Sequence, residues 1–391
     1  MAEGIYKRGD SWAIVINVGV DPVTGKRKQK WVTVKGTKKD AERERTRLLR
    51  ERDTGQVIAD PGRQTVAQYL RHWLRTYVAT NCRPKSQVCY EFKMERYIIP
   101  LVGAVPLAKL TPAHIREAYA KLYTVGATGR PLSARSLQVT HAILHRALKH
   151  AVEWQMVGRN VADNAKPPRP TPHEMQVWTV EQVQRFLNAT DTVATPYGAC
   201  MALALWTGMR QAELIGLRWQ DVDLERGNLR VVKIIQHVNK RGTVEGEPKT
   251  ASGRRGIALS GSAIEILRRH KIRQNEARLR AGAAYEDRGL VFANALGGSI
   301  TAARLRQVFW ATVKALGLPR ISFHGLRHTH ASLLLAENVH PKIVSERLGH
   351  SNVGITLNTY SHLLPGLQDA AAGKLDRLLQ QPVPRADASE G

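Results

Sequence analysis

Apolar residues in the first third of the chain change their period from two to that of a helix. From Gly4 to Val34 they alternate in short runs (Trp12, Ile14, Ile16; then Trp31, Val32, Val34), broken by turn residues at Asp21-Pro22 and Thr24-Gly25. A period of two with such breaks predicts three short antiparallel strands. Lys38 to Arg52 follows, highly charged but of helix-forming composition, with Leu48-Leu49 as its apolar pair. Beyond the Gly- and Pro-punctuated stretch 54–64, Val66, Tyr69, Leu70, Trp73, Leu74 and Val78 recur at helical spacing, which predicts an amphipathic helix. Further helical segments are expected at about 85–99, 112–124 and 133–156. The last of these should bury Leu137, Leu144, Leu148 and Val152 and turn Arg135, Arg146 and Lys149 to other faces.

The pattern then stops. Asp163 to Glu174 (DNAKPPRPTPHE) contains four prolines, which cannot continue a helix and stiffen a spacer, so a domain boundary is expected there. Thr179 with Gln182 three residues on reads as a capping box opening a new helix. From about 175 to 380 the chain is helical at both ends with strand-like material between: Val231 to Val238 and Gly256 to Leu259 are β-rich, and Gly242 to Pro248 carries turn residues that would join them as a hairpin sheet. No internal repeat is evident, and PVPRADASEG at the C-terminal end reads as a tail.

Charge sharpens this picture. The 391 residues carry 59 Lys and Arg against 33 Asp and Glu, a formal net charge of +26, with 43% hydrophobic residues. Folded domains with a positive surface and a polyanionic partner are the expectation. Positions 1–50 alone hold thirteen Lys or Arg and six Asp or Glu. That suits either a solvated appendage or a small sheet laid on a duplex. The longest strongly apolar run, Ala199 to Trp206, is far short of the ~20 residues needed to cross a bilayer. The N-terminal MAEGIYKRGDSW lacks an apolar signal core, and the cysteines number three (Cys82, Cys89, Cys200), so a reducing cytoplasm is expected rather than secretion.

Four separated pieces of the last region place positive or hydrogen-bonding groups at turns. In Thr207-Gly208-Met209-Arg210-Gln211-Ala212-Glu213-Leu214, Gly208 can end the apolar helix and Arg210 falls at the start of the next. There its planar fork can meet a phosphate beside helix N-terminal amides. Pro248-Lys249-Thr250-Ala251-Ser252-Gly253-Arg254-Arg255 precedes a strand; His324-Gly325-Leu326-Arg327-His328-Thr329 follows; Leu348-Gly349-His350 precedes Tyr360 by ten residues. Singly each piece is weak. His324 and His328 stand at i, i+4, a spacing zinc ligands can adopt, but no Cys, Asp or Glu within the cluster completes a metal shell, so no metal is expected.

Together, the order Arg, Lys, His-x-x-Arg, Leu-Gly-His, Tyr resembles the catalytic signature of the tyrosine recombinase, or phage integrase, family. The flanking phrases TGMRQAEL, FHGLRHTHASLLL, RLGHS and TYSH share the resemblance, which covers about 175–370. The helical region is similar to that family's core-binding domain, and the N-terminal strands are similar to the arm-binding domain of its integrases. The resemblance implies a multidomain, mainly α protein with small β-sheets. Its parts would be an arm-type DNA-binding domain with a three-stranded sheet plus helix (1–60), a helical SAM-like core-binding domain (64–160), an α+β catalytic domain (175–380) and a tail (381–391). It further implies Arg210, Lys249, His324, Arg327, His350 and Tyr360 as catalytic residues, with Lys240 and Lys233 as alternatives to Lys249. The implied activity is site-specific recombination of a mobile element through a 3′-phosphotyrosine and a Holliday junction, without cofactor. Implied partners are double-stranded DNA, a homotetramer on it, and accessory bending or directionality factors. The residues suit that chemistry. A tyrosine can conserve the phosphodiester bond energy in a covalent intermediate, two arginines and His350 can stabilise an in-line transition state, His324 can handle the tyrosine proton, and Lys249 can protonate the leaving 5′-oxygen. A type IB topoisomerase would use similar groups, and a noncatalytic DNA-binding protein would have no use for all six. Leu363 to Leu379, able to dock as a helix on a neighbouring subunit, favours the integrase.

Overall fold

The computed structural model describes residues 4–20, 27–53, 64–171, 175–193, 195–238, 242–248, 251–360, 372–373, 375–376 and 379–380. The expected turn at Asp21 to Gly25, nearly all of the 54–64 linker, Lys240, Lys249, most of Leu363 to Leu379 and the C-terminal tail lie outside these residues. The chain divides into two compact units, Met1–Pro172 and His173–Gly391.

The strands at the start are β1 (Gly4–Arg8), β2 (Ser11–Val20) and β3 (Arg27–Lys35), antiparallel in the order β1-β2-β3. Helix α1 (Lys38–Asp53) covers one face, where Ile14, Ile16, Ala41 and Leu48 form a small core with Trp12, Val32 and Val34 at its edge. Alternation along β2 therefore puts Trp12, Ile14 and Ile16 toward the helix, as period two requires.

Helix α2 (Val66–Trp73) runs on through a wide π-type turn (Leu74–Val78) into Ala79–Asn81. Helix α3 (Pro84–Lys93) continues likewise through Met94–Ile98 into Ile99–Val102, and α4 (Pro112–Thr124) and α5 (Ala134–Glu153) complete the bundle. Val66, Tyr69, Leu70, Trp73, Ile98, Leu122, Leu137 and Leu144 lie in one apolar core. Two polar atoms within it are satisfied: the Tyr69 hydroxyl donates to the Ala147 carbonyl, and Trp73 Nε1 donates to His150 Nδ1 at 2.8 Å. On α5 the expected Val152 is only half-buried; Ala151, one residue earlier, is fully buried in its place.

In the second unit the capping box forms as expected: Thr179 N–H donates to Gln182 Oε1 (3.0 Å) and Gln182 N–H to Thr179 Oγ1 (3.3 Å), opening α6 (Val180–Thr192). Helix α7 (Pro196–Thr207) is buried on every side from Gly198 to Leu205, which accounts for its lack of a polar face. Packed around it are α6, α9 (Gly261–Ala281) and α11 (Phe323–Ala336). The strand region departs from the expected single hairpin. Strands β4 (Val222–Asp223), β5 (Asn228–Val231) and β8 (Arg255–Ala258) form one sheet, while β6 (Ile234–Val238) pairs with β7 (Gly242–Gly246). The Gly- and Thr-rich β7, read as a turn from its composition, becomes a strand because β6 pairs with it along its whole length. Short α8 (Gln211–Ile215), then α10 (Ala302–Ala315), α12 (Pro341–Leu348) and α13 (Val353–Tyr360) complete the unit.

Candidate active site

Two helix ends meet at this site, and each needs a glycine. Gly208 closes α7 and Gly349 closes α12, at φ +64° and +68°, a left-handed conformation that other residues adopt only at a cost. Space is also closed to a side chain. A Cβ on Gly208 would stand 2.7 Å from the His330 ring, and one on Gly349 would stand 2.7 Å from the Ser252 carbonyl oxygen.

Three arginines from three distant segments bind three successive carbonyls at the end of α12. Arg255 Nε donates to the Arg347 carbonyl (2.6 Å), Arg327 Nη2 to Leu348 (2.7 Å) and Arg210 Nη2 to Gly349 (3.1 Å). The last carbonyls of a helix lack internal partners and carry the negative end of its dipole, so cations suit them. Arg327 also donates Nη1 to the Gly208 carbonyl (2.8 Å), which ties the two glycine turns together. Buried Glu213 offsets this positive charge. It accepts from Arg210 Nη1 (2.8 Å) and from Arg255 Nη2 (3.0 Å), and also from the Arg210 backbone N–H (2.8 Å). Burial pushes its carboxyl up, but Arg255 and then Arg210 outweigh that and hold it below the ordinary carboxylate range.

The histidines sit against this charge. Burial, then Arg327 and Arg210, push His350 down to about 4; its Nδ1 shares a hydrogen bond with Thr356 Oγ1 at 2.8 Å. His324 is lowered too, by the surrounding protein first and then by Arg327 and Arg210. Tyr360, the last residue of α13, is fully buried beside Ala331, Leu335, Val344 and Leu348, and burial raises its phenol to about 12 although the Arg327 charge opposes this.

Of the six expected residues, Arg210, Arg327 and His350 converge on the Leu348–His350 turn, and Tyr360 packs against its apolar side. His324, expected to handle the tyrosine proton, does not touch the phenol. His328 does, with Nδ1 and Oη 2.8 Å apart, while His324 stacks edge-to-face on His328 at 4.7 Å between ring centroids. Lys249 lies outside the described residues; the alternative Lys233 is exposed between β5 and β6. Sequence reasoning missed Glu213, Arg255 and His328, although all three stand inside the quoted motifs. The available signal for Glu213 and Arg255 was their charge: two arginines that near a helix end require an anion. No group of three His, Cys, Asp or Glu able to hold a metal stands together among the described residues.

Residues 176–366 match the phage integrase family, and residues 65–123 match the N-terminal SAM-like domain of phage integrases. A tyrosine recombinase XerC-like protein of Caldanaerobacter subterraneus subsp. tengcongensis is 30% identical over 361 residues, 88% of this chain and 90% of that protein. An integrase of Streptomyces ambofaciens is 31% identical over 371 residues, 92% of each chain. Among solved structures, the Tn1549 transposon integrase in complex with a circular intermediate DNA superposes with a TM-score of 0.67 at 22% identity, covering 81% of this chain and 99% of that one. A lambda integrase tetramer bound to a Holliday junction gives 0.55 at 18%, covering 90% and 96%. The chain belongs to the phage integrase family of tyrosine recombinases.

Proposed function

We propose that this chain, a site-specific DNA recombinase of a mobile element, cuts one strand of its attachment site by attack of Tyr360 on a phosphodiester and rejoins it to another duplex. The attack forms an Oη–P bond and breaks the P–O5′ bond, leaving a 3′-phosphotyrosine and a free 5′-hydroxyl. That hydroxyl then attacks the phosphotyrosine of a second duplex, so the bond energy is carried through without ATP. Arg210 and Arg327 are assigned to the nonbridging oxygens, His350 to a further hydrogen bond, and Lys249 to protonation of the 5′-oxygen. The observation that carries this reading is the convergence of Arg210, Arg327 and His350 on one turn packed against Tyr360. Residues 1–60 are assigned to arm-type DNA binding, 64–160 to core-site binding and 175–380 to catalysis, with four copies acting on a Holliday junction as in the lambda integrase complex. No helix among the described residues is long and apolar enough to cross a membrane.

Trapping the protein covalently on DNA in its host and sequencing the attached 3′ ends tests the reading and supplies the site. Tyr360→Phe removes only the attacking oxygen, so DNA binding should persist while the adduct disappears. An adduct that survives in Tyr360→Phe, or that maps to Tyr285, overturns the assignment.

A further inference from the structure

Arg210 and Arg327, the arginines assigned to the phosphate, each give two side-chain hydrogen bonds to the protein among the described residues. Arg255 gives four: Nε to the Arg347 carbonyl (2.6 Å), Nη1 to Glu213 Oε1 (3.3 Å) and to the Gly253 carbonyl (3.2 Å), and Nη2 to Glu213 Oε2 (3.0 Å). That commits nearly all the N–H hydrogens a guanidinium has, whereas Arg210 and Arg327 keep most of theirs for a substrate. Arg255 is built to hold other groups.

What it holds are two supports of the site. Its parallel bonds to both Glu213 oxygens fix a carboxylate that in turn accepts from Arg210 Nη1 (2.8 Å). Its bond to Arg347 fixes the end of α12, directly before the Leu348 carbonyl that takes Arg327 and the turn that leads to His350. Arg347 returns the contact by donating Nη1 to the Ala258 carbonyl of β8 (2.9 Å), so strand and helix end are tied in both directions. Arg255 also backs the glycine turn, where a Cβ on Gly349 would stand 3.0 Å from its Nη1. A guanidinium can grip a carboxylate with both Nη atoms while Nε reaches a carbonyl, which an ammonium cannot do.

From this geometry we propose that Arg255 is a positioning residue for strand cleavage: through Glu213 it fixes Arg210, and through the Arg347 carbonyl it fixes the turn on which Arg327 and His350 depend. The proposal rests on Arg210, Arg327 and Tyr360 acting as assigned above. It has a consequence in pH. The charged and titratable groups around the Glu213 carboxyl are Arg210 at the start of α8, Arg255 from β8, and Arg327 with His324 from α11. Burial raises this carboxyl, and of the groups that hold it down Arg255 comes first. Without Arg255, burial is opposed mainly by Arg210. Glu213 should then take up a proton at a pH where the unaltered chain keeps it ionised, and a neutral carboxyl no longer pairs with Arg210.

The test is single-turnover cleavage, by the full chain at saturating concentration, of the duplex recovered from the covalent adducts, with binding measured in parallel. Arg255→Met keeps much of the side-chain volume and removes the fork. It should bind the duplex as the unaltered chain does and cleave roughly 10²-fold more slowly at neutral pH, because Arg210 is no longer held in place. Toward lower pH it should lose about a further tenfold per unit relative to the unaltered chain. Adding Glu213→Gln to Arg255→Met should flatten that extra limb, since an amide does not titrate. Arg255→Lys keeps the charge without the fork, and its saturated rate should lie between the two. Should Arg255→Met lose the hydrogen-exchange protection of α7, Arg255→Lys decides: slowed cleavage with unchanged binding supports the proposal, and a full rate overturns it. A full rate in Arg255→Met overturns it as well. So does a rate loss parallel to the unaltered chain at every pH, which would leave Arg255 a structural brace, and so does weakened binding with an unchanged saturated rate, which would place it against DNA. Absence of any Tyr360 adduct from the unaltered chain overturns the function reading itself.

Discussion

The bundle of residues 64–165 and the catalytic unit are both helices around an apolar core, but they differ in what else they bury. In the bundle, apart from the aromatic Tyr69, Trp73 and Tyr119, the single fully buried polar side chain among the described residues is Thr140, which donates to the Ser136 carbonyl one turn back on its own helix. The catalytic unit buries Glu213, Arg327, His330 and His270, and Arg255 is nearly as deep. Charge taken out of water is costly unless it is paired and hydrogen-bonded. Glu213, Arg255 and Arg327 gather around the two glycine turns, which marks where the fold holds preorganised donors rather than mere packing, and the satisfied guanidiniums show how the cost is offset.

The largest test of that contrast is Glu213→Ala. It leaves Arg210 and Arg255 beside Arg327 without an anion and should cost about 3–5 kcal/mol. Amide hydrogen exchange should show protection lost across 208–217 and kept across 66–73; equal loss in both would erase the distinction. The same residue sets a pH window. Its folded pKa is lowered, so its stabilisation is complete above the unfolded value of roughly 4.3 and is lost as pH falls through the lower folded value. His328 and His350 add a second limb at higher pH. Both are pushed down to about 4, so below roughly pH 6.5 the unfolded chain takes up protons that the folded chain refuses. Stability of the catalytic unit should therefore fall from pH 6.5 toward 4 with the histidines and fall further below roughly 4.3 with Glu213, and Glu213→Gln should remove only the part below roughly 4.3.

A smaller effect is expected from Leu144→Ala in the bundle, about 2–5 kcal/mol for a fully buried leucine. The loss should appear in exchange across 134–153 and be insensitive to pH between 5 and 8, since no charged pair is disturbed. A pH-dependent cost there would mean that the bundle, too, leans on buried electrostatics.

What could be read from sequence follows the range of the interaction. Val66 to Val78 announced a helix because its period is local, and Thr179 with Gln182 announced its cap because both partners lie within one turn. Gly208 was legible as a helix end for the same reason. The family motifs brought Arg210, Arg327, His350 and Tyr360 together, a juxtaposition no local pattern contains. The Tyr360 contact to His328 spans 32 residues and depends on how α13 packs back onto α11, whereas the motif points to the histidine one turn earlier. The bond from Arg255 to Glu213 spans 42 residues. Strand β7 was hidden for a different reason: its Gly-Thr composition favours turns, and only pairing with β6 makes it a strand.

The smallest effect sharpens the comparison most, because it should be the same in both regions. Thr65 and Thr179 each cap a helix in the same box, with Gln68 and Gln182 as the reciprocal partners. Thr65 Oγ1 accepts from Gln68 N–H at 3.2 Å and Thr179 Oγ1 from Gln182 N–H at 3.3 Å, both at exposed positions. Each change to Ala should cost about 1 kcal/mol, the usual worth of a threonine cap, and each to Ser should cost less because the hydroxyl is kept. Local hydrogen exchange in the first turn of α2 and of α6 measures both. Equal costs mean that cap energetics are set within one turn and that the two regions differ only through their long-range buried charge. A several-fold larger cost at Thr179 would show that the charged network of the catalytic unit reaches as far as the start of α6, and the division drawn between local and long-range terms would have to be moved.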